Sequence, residues 1–514
     1  MSSILRLTFA LALLPAVWPL TARTQPAPPA AAAAARSADD LIAAARAAAR
    51  ADRNREAADL FAGAIAAAPS RRRELLQEYA DQLNYSGRPA AAIGLFQEAL
   101  QAPRSRDERL RSLKGLGLAL LWTDQPGRAR HVFETLLGET PADDDASRNL
   151  GRALSWSGRQ RAAIAHLAQH LRAHPGDESA RVIQAQAQAW LGRPDEAART
   201  LSGATARDAE ARELAAELAR WQAPRSVAEL QRSSQSDQID IRAARLGHAI
   251  SFDQGRGSIG ARVDRIEYER HDGADAALVR RPMVQARYRF DDAFEWNGEF
   301  GQERIRMRTG EAHDPSVYAS WLTWWPGDLW RFDLSTNRAT FDNLQSLRLG
   351  LTARDHGLSA DLTPTERQRY TLRVHHADYS DGNTRRGAQF ETEYRWRTHP
   401  DAWVGLRHTR YEFARQANNG YFNPLTFEST QFTLRAAWRP DGPQGRWHVA
   451  VAGAVGREHA VPDGGKPAHD ASLRVGWRLD ADTRLEARAQ RFSSLTAAAG
   501  FARTTFGLSL ERNW

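Results

Sequence analysis

The chain has 514 residues, a formal charge of +8, 16 Trp and no cysteine. That length exceeds one ordinary core, so two domains of unequal style are expected, and the lack of cysteine excludes disulfides, thiolate metal sites, Cys nucleophiles and a lipidated N-terminal Cys. The positive charge is Arg spread along the chain, with Lys only at Lys114 and Lys466, whereas nucleic-acid binders cluster their basic residues.

No nucleic-acid partner is therefore expected. After the N-terminus no run reaches the roughly 18 apolar residues of a membrane helix, so any membrane contact must be made by strands.

Residues 1–24 carry Arg6 in a short polar start, an apolar run Leu7–Trp18 and a small residue at Ala22, the pattern of a secretory signal peptide. Residues 25–36 form a Pro/Ala tract expected to be a disordered linker.

Residues 37–224 are rich in Ala, Leu, Arg and Glu with helical periodicity and repeat at the length of tetratricopeptide units. Pro69, Pro103, Pro141 and Pro175 each follow a helical segment, at intervals of 34, 38 and 34 residues, and Trp122, Trp156 and Trp190 recur every 34. Between the two helices of a unit stand Tyr85-Ser86-Gly87-Arg88, Trp122-Thr123-Asp124-Gln125, Trp156-Ser157-Gly158-Arg159 and Trp190-Leu191-Gly192-Arg193. The glycines suit a left-handed cap, and the aromatics Tyr85, Trp122, Trp156 and Trp190 are expected to pack against neighbouring helices. About five units and a closing helix near Asp208–Trp221 make an α-solenoid, whose open face suits protein binding or simple spacing.

From residue 225 to 514 the period becomes two. Val284, Ala286, Tyr288 and Phe290 alternate with Gln285, Arg287, Arg289 and Asp291, and Phe390, Thr392, Tyr394 and Trp396 alternate with Glu391, Glu393, Arg395 and Arg397. The run Phe294–Phe300 and the sets Phe432/Leu434/Ala436/Trp438 and Leu473/Val475/Trp477/Leu479 read alike. Segments of about ten residues with one apolar face cross a bilayer at barrel tilt. Aromatics such as Trp321, Trp324, Trp325, Trp330 and Trp396 suit interfacial girdles. These features predict an antiparallel transmembrane β-barrel of about 16 strands. Its polar face would include Arg287, Arg289, Glu295, Glu299, Arg331, Asp333, Glu391, Glu393, Arg395, Arg474 and Arg478, of mixed sign. Phe506, Leu508, Leu510 and Trp514 resemble the C-terminal strand signal read by the barrel-assembly machinery.

A leader, tetratricopeptide-like repeats and a barrel together resemble the poly-β-1,6-N-acetylglucosamine export porin family. Three segments carry the likeness locally: Tyr379-Ser380-Asp381-Gly382-Asn383-Thr384-Arg385, Gly420-Tyr421-Phe422-Asn423-Pro424 and Phe252-Asp253-Gln254-Gly255-Arg256-Gly257. The repeat region is shorter than that family's. The resemblance implies an outer-membrane porin that exports an exopolysaccharide, with periplasmic repeats that recruit the polymer, its modifying enzyme or a synthase complex. A surface receptor, a structural anchor and a cellulose exporter are the alternatives.

Candidate contacts on the polymer path are Glu295, Glu299, Asp333, Asp378, Asp381, Asn383, Glu391, Glu393, Tyr421, Phe422 and Asn423. Asp-Gly-Asn equally suits a tight turn, and Pro424 a fixed loop. His375 and His376 are adjacent on a strand and point to opposite faces, so no metal site is expected there, and neither a cofactor nor a catalytic constellation is found.

Overall fold

The computed structural model describes residues 37–202, 209–442, 445–494 and 501–514. The expected leader and linker, residues 1–36, lie outside the described residues, as does Asp208.

The helical half comprises α1 (Ala38–Arg50), α2 (Asn54–Ala67), α3 (Arg72–Tyr85), α4 (Pro89–Gln101), α5 (Arg106–Trp122), α6 (Pro126–Glu139), α7 (Asp144–Trp156), α8 (Gln160–Ala173), α9 (Glu178–Trp190), α10 (Pro194–Ser202) and α11 (Ala209–Gln222). Local chemistry sets their ends. The side chains of Ser105, Asp143 and Asp177 accept hydrogen bonds from the backbone N–H of Glu108, Ala146 and Ala180 at 3.0, 2.9 and 2.9 Å. Pro89, Pro126 and Pro194 fill first turns, where no backbone donor is missed. Gly87, Gly158 and Gly192 leave their helices at φ of +79°, +81° and +81°; Asp124 takes the equivalent place at +54°.

The repeats stack differently from the expectation. Phe61, Phe96, Phe133 and Leu167, from the second helix of each pair, are fully buried. Three of them lie against glycines of a following or preceding first helix: a Cβ at Gly115 would stand 2.3 Å from the Phe96 ring, at Gly117 2.5 Å from the Phe133 ring, and at Gly151 2.4 Å from Leu167. Tyr85, Trp122, Trp156 and Trp190, expected to supply this packing, are exposed instead. They end their helices at the turn, beyond the interhelical seam.

The second half is a closed antiparallel barrel of sixteen strands among the described residues. They are Arg225–Gln235, Ile239–Phe252, Gly257–Arg270, Ala276–Arg289, Phe294–Gln302 continued by Arg304–Met307, Ala312–His313 continued by Ser316–Trp324, Trp330–Thr340, Thr352–Thr365, Gln368–Tyr379, Thr384–Arg397, Asp401–Phe413, Thr426–Trp438, Trp447–Val461, Gly464–Arg478, Thr483–Ser494 and Phe501–Asn513. The first and last strands pair from Arg225↔Asn513 to Gln235↔Arg503, closing the cylinder. No edge is left in a bilayer, where unpaired backbone groups are costly.

Period-two alternation sorts the two faces. Leu230, Leu246, Val263, Val284, Phe300, Leu334, Leu372, Phe390, Leu406, Phe432, Val455, Phe506 and Leu508 are all exposed on the outside, which is the lipid-facing surface of a membrane barrel. Trp296, Trp324, Trp330, Trp396, Trp438, Trp447, Trp477 and Trp514 ring its periplasmic rim. Within the run 321–325 only Trp324 joins the girdle. Trp321 sits opposite inward-facing Asn297 and Ser335 in the register and so faces the lumen. Trp325 is flanked by the guanidiniums of Arg289 and Arg331, at 4.6 and 5.9 Å from its ring.

Candidate functional site

The periplasmic turns of the barrel meet the turn edge of the solenoid. Arg161, at the start of α8, is the centre of this junction. Its Nε donates to Asp292 at 3.0 Å, Nη1 to the Gly327 carbonyl at 2.9 Å and Nη2 to the Trp325 carbonyl at 3.1 Å. In return Asp328 accepts from the backbone N–H of Arg161 and Ala162 at 3.0 and 3.2 Å, placing a carboxylate on the positive end of α8. Arg193 pairs with Asp292 at 3.1 Å, Arg159 donates to the Pro364 carbonyl at 2.8 Å and His399 meets Asp124 at 2.8 Å. Burial pushes the Asp292 carboxyl up, but Arg161 and Arg193 outweigh it and hold it below the usual aspartate range.

Between α9, α11 and the strands at 225–299 lies a cavity of about 1340 Å³, lined on the helical side by Trp190, Arg220 and Trp221 and on the barrel side by Glu229, Arg287 and Trp321 among others. It runs on into the lumen. Of the sequence-chosen acids, Glu295 faces inward and pairs with Arg287 at 2.8 Å, and Glu299 pairs with Arg262 at 3.3 Å. Asp333 pairs with Arg331 at 3.0 Å, and Glu393 with Arg435 at 2.6 Å. Glu391 also lies on the inward face, opposite Arg407. Trp403, which sequence reasoning did not single out, is buried on this wall with Arg435, Arg369 and Arg395 at 4.6, 5.6 and 5.8 Å from its ring. Its only sequence signal was alternation, shared with every neighbour.

Asp378 is placed elsewhere. It shares the outward face with Leu372 and Val374 and pairs there with His376 at 3.2 Å, so it does not line the lumen.

At the extracellular end two loops fold into the barrel. The segment 341–351 carries a short helix whose Leu344 and Leu347 are buried against Ile241, Ile266, Tyr268, Val279 and Ile305 of the wall. Beside it Asp342 accepts from Tyr268 at 2.9 Å and from Arg503 at 3.1 Å. Loop 414–425 sets Tyr421 against Phe341, Tyr379 and Phe413. The loops join each other where Gln345 and Ser346 donate to the Asn418 and Asn419 carbonyls, both at 2.7 Å.

Asp381, Asn383, Tyr421 and Asn423 form the pins of this cap. Asp381 accepts from the Asn383 N–H at 3.0 Å, Asn419 at 2.6 Å and the Tyr421 hydroxyl at 2.8 Å. Asn383, 1% exposed, donates to the Arg415 carbonyl at 2.8 Å, and Asn423 brackets both backbone groups of Ala417 at 3.1 and 2.7 Å. Phe422 packs edge-on to Phe427. Their polar groups are engaged with one another, so these residues fix loops and do not present a free sugar-binding surface. Burial pushes Asp381 up, but its donors win and hold the carboxyl below the usual range; burial and Asp381 push Tyr421 up to about 12.

Residues 303–439 match the family model of the PgaA membrane beta barrel domain, and residues 120–188 match a tetratricopeptide repeat. Over residues 303–439 the barrel is similar to that of PgaA. The first match takes in the wall around Trp403 and both cap loops; the second spans the end of α5 to α9. This PgaA-like barrel lies in the outer membrane with its repeats on the periplasmic side.

No curated protein matches the chain. Among solved structures, a "Bacterial polysaccharide outer membrane secretin" is similar over 56% of this chain and 98% of its own, at 13% identity and a TM-score of 0.46. The CymD monoaromatic hydrocarbon channel is similar over 57% and 89%, at 9% identity and 0.34. YrrB, a tetratricopeptide protein with an unusual peptide-binding site, is similar over 35% and 86%, at 17% identity and 0.28.

Far from the membrane, Asp144, His170 and His174 bring metal-type donors within 4.8 Å of one another. His174 pairs with Asp144 at 3.0 Å and His170 with Asp177 at 2.9 Å, contacts that tie the end of one repeat to its neighbours.

Proposed function

We propose that this chain exports an exopolysaccharide, a poly-N-acetylglucosamine-like biofilm polymer, and that its repeats receive the polymer or the periplasmic enzyme that modifies it. The observation that carries this reading is continuity. A charged, aromatic-bearing lumen wall opens at its periplasmic end into a large cavity roofed by the repeats, so a chain molecule meets one surface from solenoid to barrel. The likeness of residues 303–439 to the PgaA membrane beta barrel domain supports it.

Mixed charges and stacked rings suit passage, because many weak contacts let a polymer slide where one tight contact would hold it. The arrangement reads as a conduit. The test is a strain lacking the gene, assayed with a lectin for N-acetylglucosamine and a specific glycosidase. Loss of surface polymer with retention of material inside the envelope is expected; unchanged surface polymer would overturn the reading.

The inward-folded cap favours a second reading, a surface receptor or anchor with a plugged lumen. Liposome swelling with sized saccharides separates the two, using a variant in which Asp381→Ala and Tyr421→Ala release the cap. Swelling supports a conduit, and impermeability of the released barrel supports the plug.

A further inference from the structure

The solenoid bears a row of exposed aromatics that nothing in its own packing explains. Tyr85, Trp122, Trp156, Trp190 and Trp221 are 59%, 46%, 42%, 49% and 41% exposed. The first four occupy the same position, the last residue of the first helix in successive pairs; Trp221 stands one residue before the end of α11. Buried Phe96, Phe133 and Leu167 already fill the seams, so the row is not needed for stacking. Four large rings left in water at one repeating position, with a fifth on the closing helix, mark a binding surface.

Its direction is fixed by what surrounds it. Asp124, two residues after Trp122, meets His399 of the barrel; Arg159, three after Trp156, meets Pro364; Arg193, three after Trp190, meets Asp292. Trp122, Trp156 and Trp190 therefore stand beside contacts with the barrel rim. Trp190 and Trp221 line the cavity that continues to Trp321 in the lumen. Tyr85 and Trp122 lie edge to face at 6.4 Å, and Arg152 caps the Trp156 ring at 5.8 Å.

We infer that the row Tyr85, Trp122, Trp156, Trp190 and Trp221 is a track that binds a glycan chain by ring stacking and feeds it to the barrel mouth. A β-linked sugar chain presents C–H-rich pyranose faces at regular intervals, which stack on aromatic planes while the ring hydroxyls remain hydrated or meet guanidinium and carboxylate groups. One ring in each of four successive helix pairs spreads this contact along the array. A protein ligand for the same rings would be held at the rim, whereas the row leads into the lumen, where the passenger goes. This inference rests on the export reading and assigns part of it to named side chains.

The test uses the full-length protein in lipid nanodiscs and β-1,6-linked glucosamine and N-acetylglucosamine oligomers of increasing length, with binding followed by calorimetry. Affinity is expected to grow with oligomer length. Combining Trp122→Ala, Trp156→Ala and Trp190→Ala is expected to weaken the longest oligomer about tenfold or more, while Phe at the same positions retains most of the binding. Circular dichroism and heat-modifiable mobility check the fold, and the Phe variant keeps the test decisive if the Ala variant misfolds. Equal binding by the wild type and a folded Ala variant would overturn the track, as would loss of binding to a polypeptide with oligomer binding unchanged. The two proposals fail separately. If the deletion strain keeps its surface polymer, export is wrong; if export depends on the protein but the Ala variant binds and secretes like the wild type, only the track is wrong.

Discussion

Replacing Arg161 with Ala removes the centre of the junction between solenoid and barrel without touching either core. The guanidinium makes one bond to a carboxylate and others to carbonyls of the turns at 292 and 325–327. Charge-assisted hydrogen bonds contribute about 1.5–3 kcal/mol each when well enclosed, and this side chain is 22% exposed. Asp292 keeps Arg193, and Asp328 keeps the backbone donors of α8, which do not depend on the side chain. The net loss should therefore be about 3 kcal/mol, or roughly a hundredfold in the docking equilibrium. Because the chain has no cysteine, single thiols introduced by Ala66→Cys in α2 and Ala481→Cys in a periplasmic turn can carry spin labels. Pulsed electron resonance in nanodiscs should give one narrow distance in the parent and a broadened distribution with added longer distances after Arg161→Ala. The barrel should keep its heat-modifiable mobility, since its closure lies in the strand pairing. An unchanged narrow distance would refute the reasoning.

The same labels read a pH dependence. Asp292 is held below its ordinary range, so its contribution to docking is present above the unfolded aspartate pKa and is lost as pH falls through the folded one; the distance should hold from pH 8 to about 5 and broaden below about 4. Asp81 works in the opposite sense: burial raises its carboxyl to about 7, so the folded state keeps a proton that the unfolded chain releases, and stability falls as pH rises between the two values. Asp81→Asn should raise the thermal midpoint of the helical half by the equivalent of about 1 kcal/mol at pH 8 and by little at pH 4, as followed by circular dichroism. Gly117→Val places a branched side chain where the Phe133 ring stands and should cost the repeats about 1–3 kcal/mol, seen as a lower first transition with the barrel transition unmoved. Trp403→Ala should alter saccharide flux through a cap-released barrel while leaving its assembly intact, because the ring is held by three arginines within the lumen.

The architecture was legible because its signals are local and periodic. Alternation such as Phe390 to Arg397 specifies two faces of a strand, and recurring proline and glycine mark helix pairs. What escaped the sequence depends on contacts between distant segments. Trp321 and Trp324 are three residues apart and equally aromatic, yet opposite faces of one strand send the first to the lumen and the second to lipid. The Trp at 34-residue intervals suggest packing, because a repeated large apolar residue usually packs; that the seam is already filled by Phe96 and Phe133 against glycines shows only when helices are placed side by side. Asp381 and Asn383 stand in one motif and Tyr421 in another, and their mutual engagement depends on two loops meeting inside a barrel.

Between the end of α11 at Gln222 and the first strand at Arg225 there are two residues, Ala223 and Pro224. The Pro224 carbonyl accepts from the backbone N–H of Trp514 at 2.9 Å, and Ser226 accepts from its indole at 3.0 Å. The root of the solenoid is thus built into the seam where the last strand meets the first. So short a tether confines the helical array to the neighbourhood of its seat, giving a high effective concentration for contacts that would be weak between separate molecules. Completing the cylinder and aiming the periplasmic arm are then one event, and a barrel left open at that seam would also leave its arm unaimed.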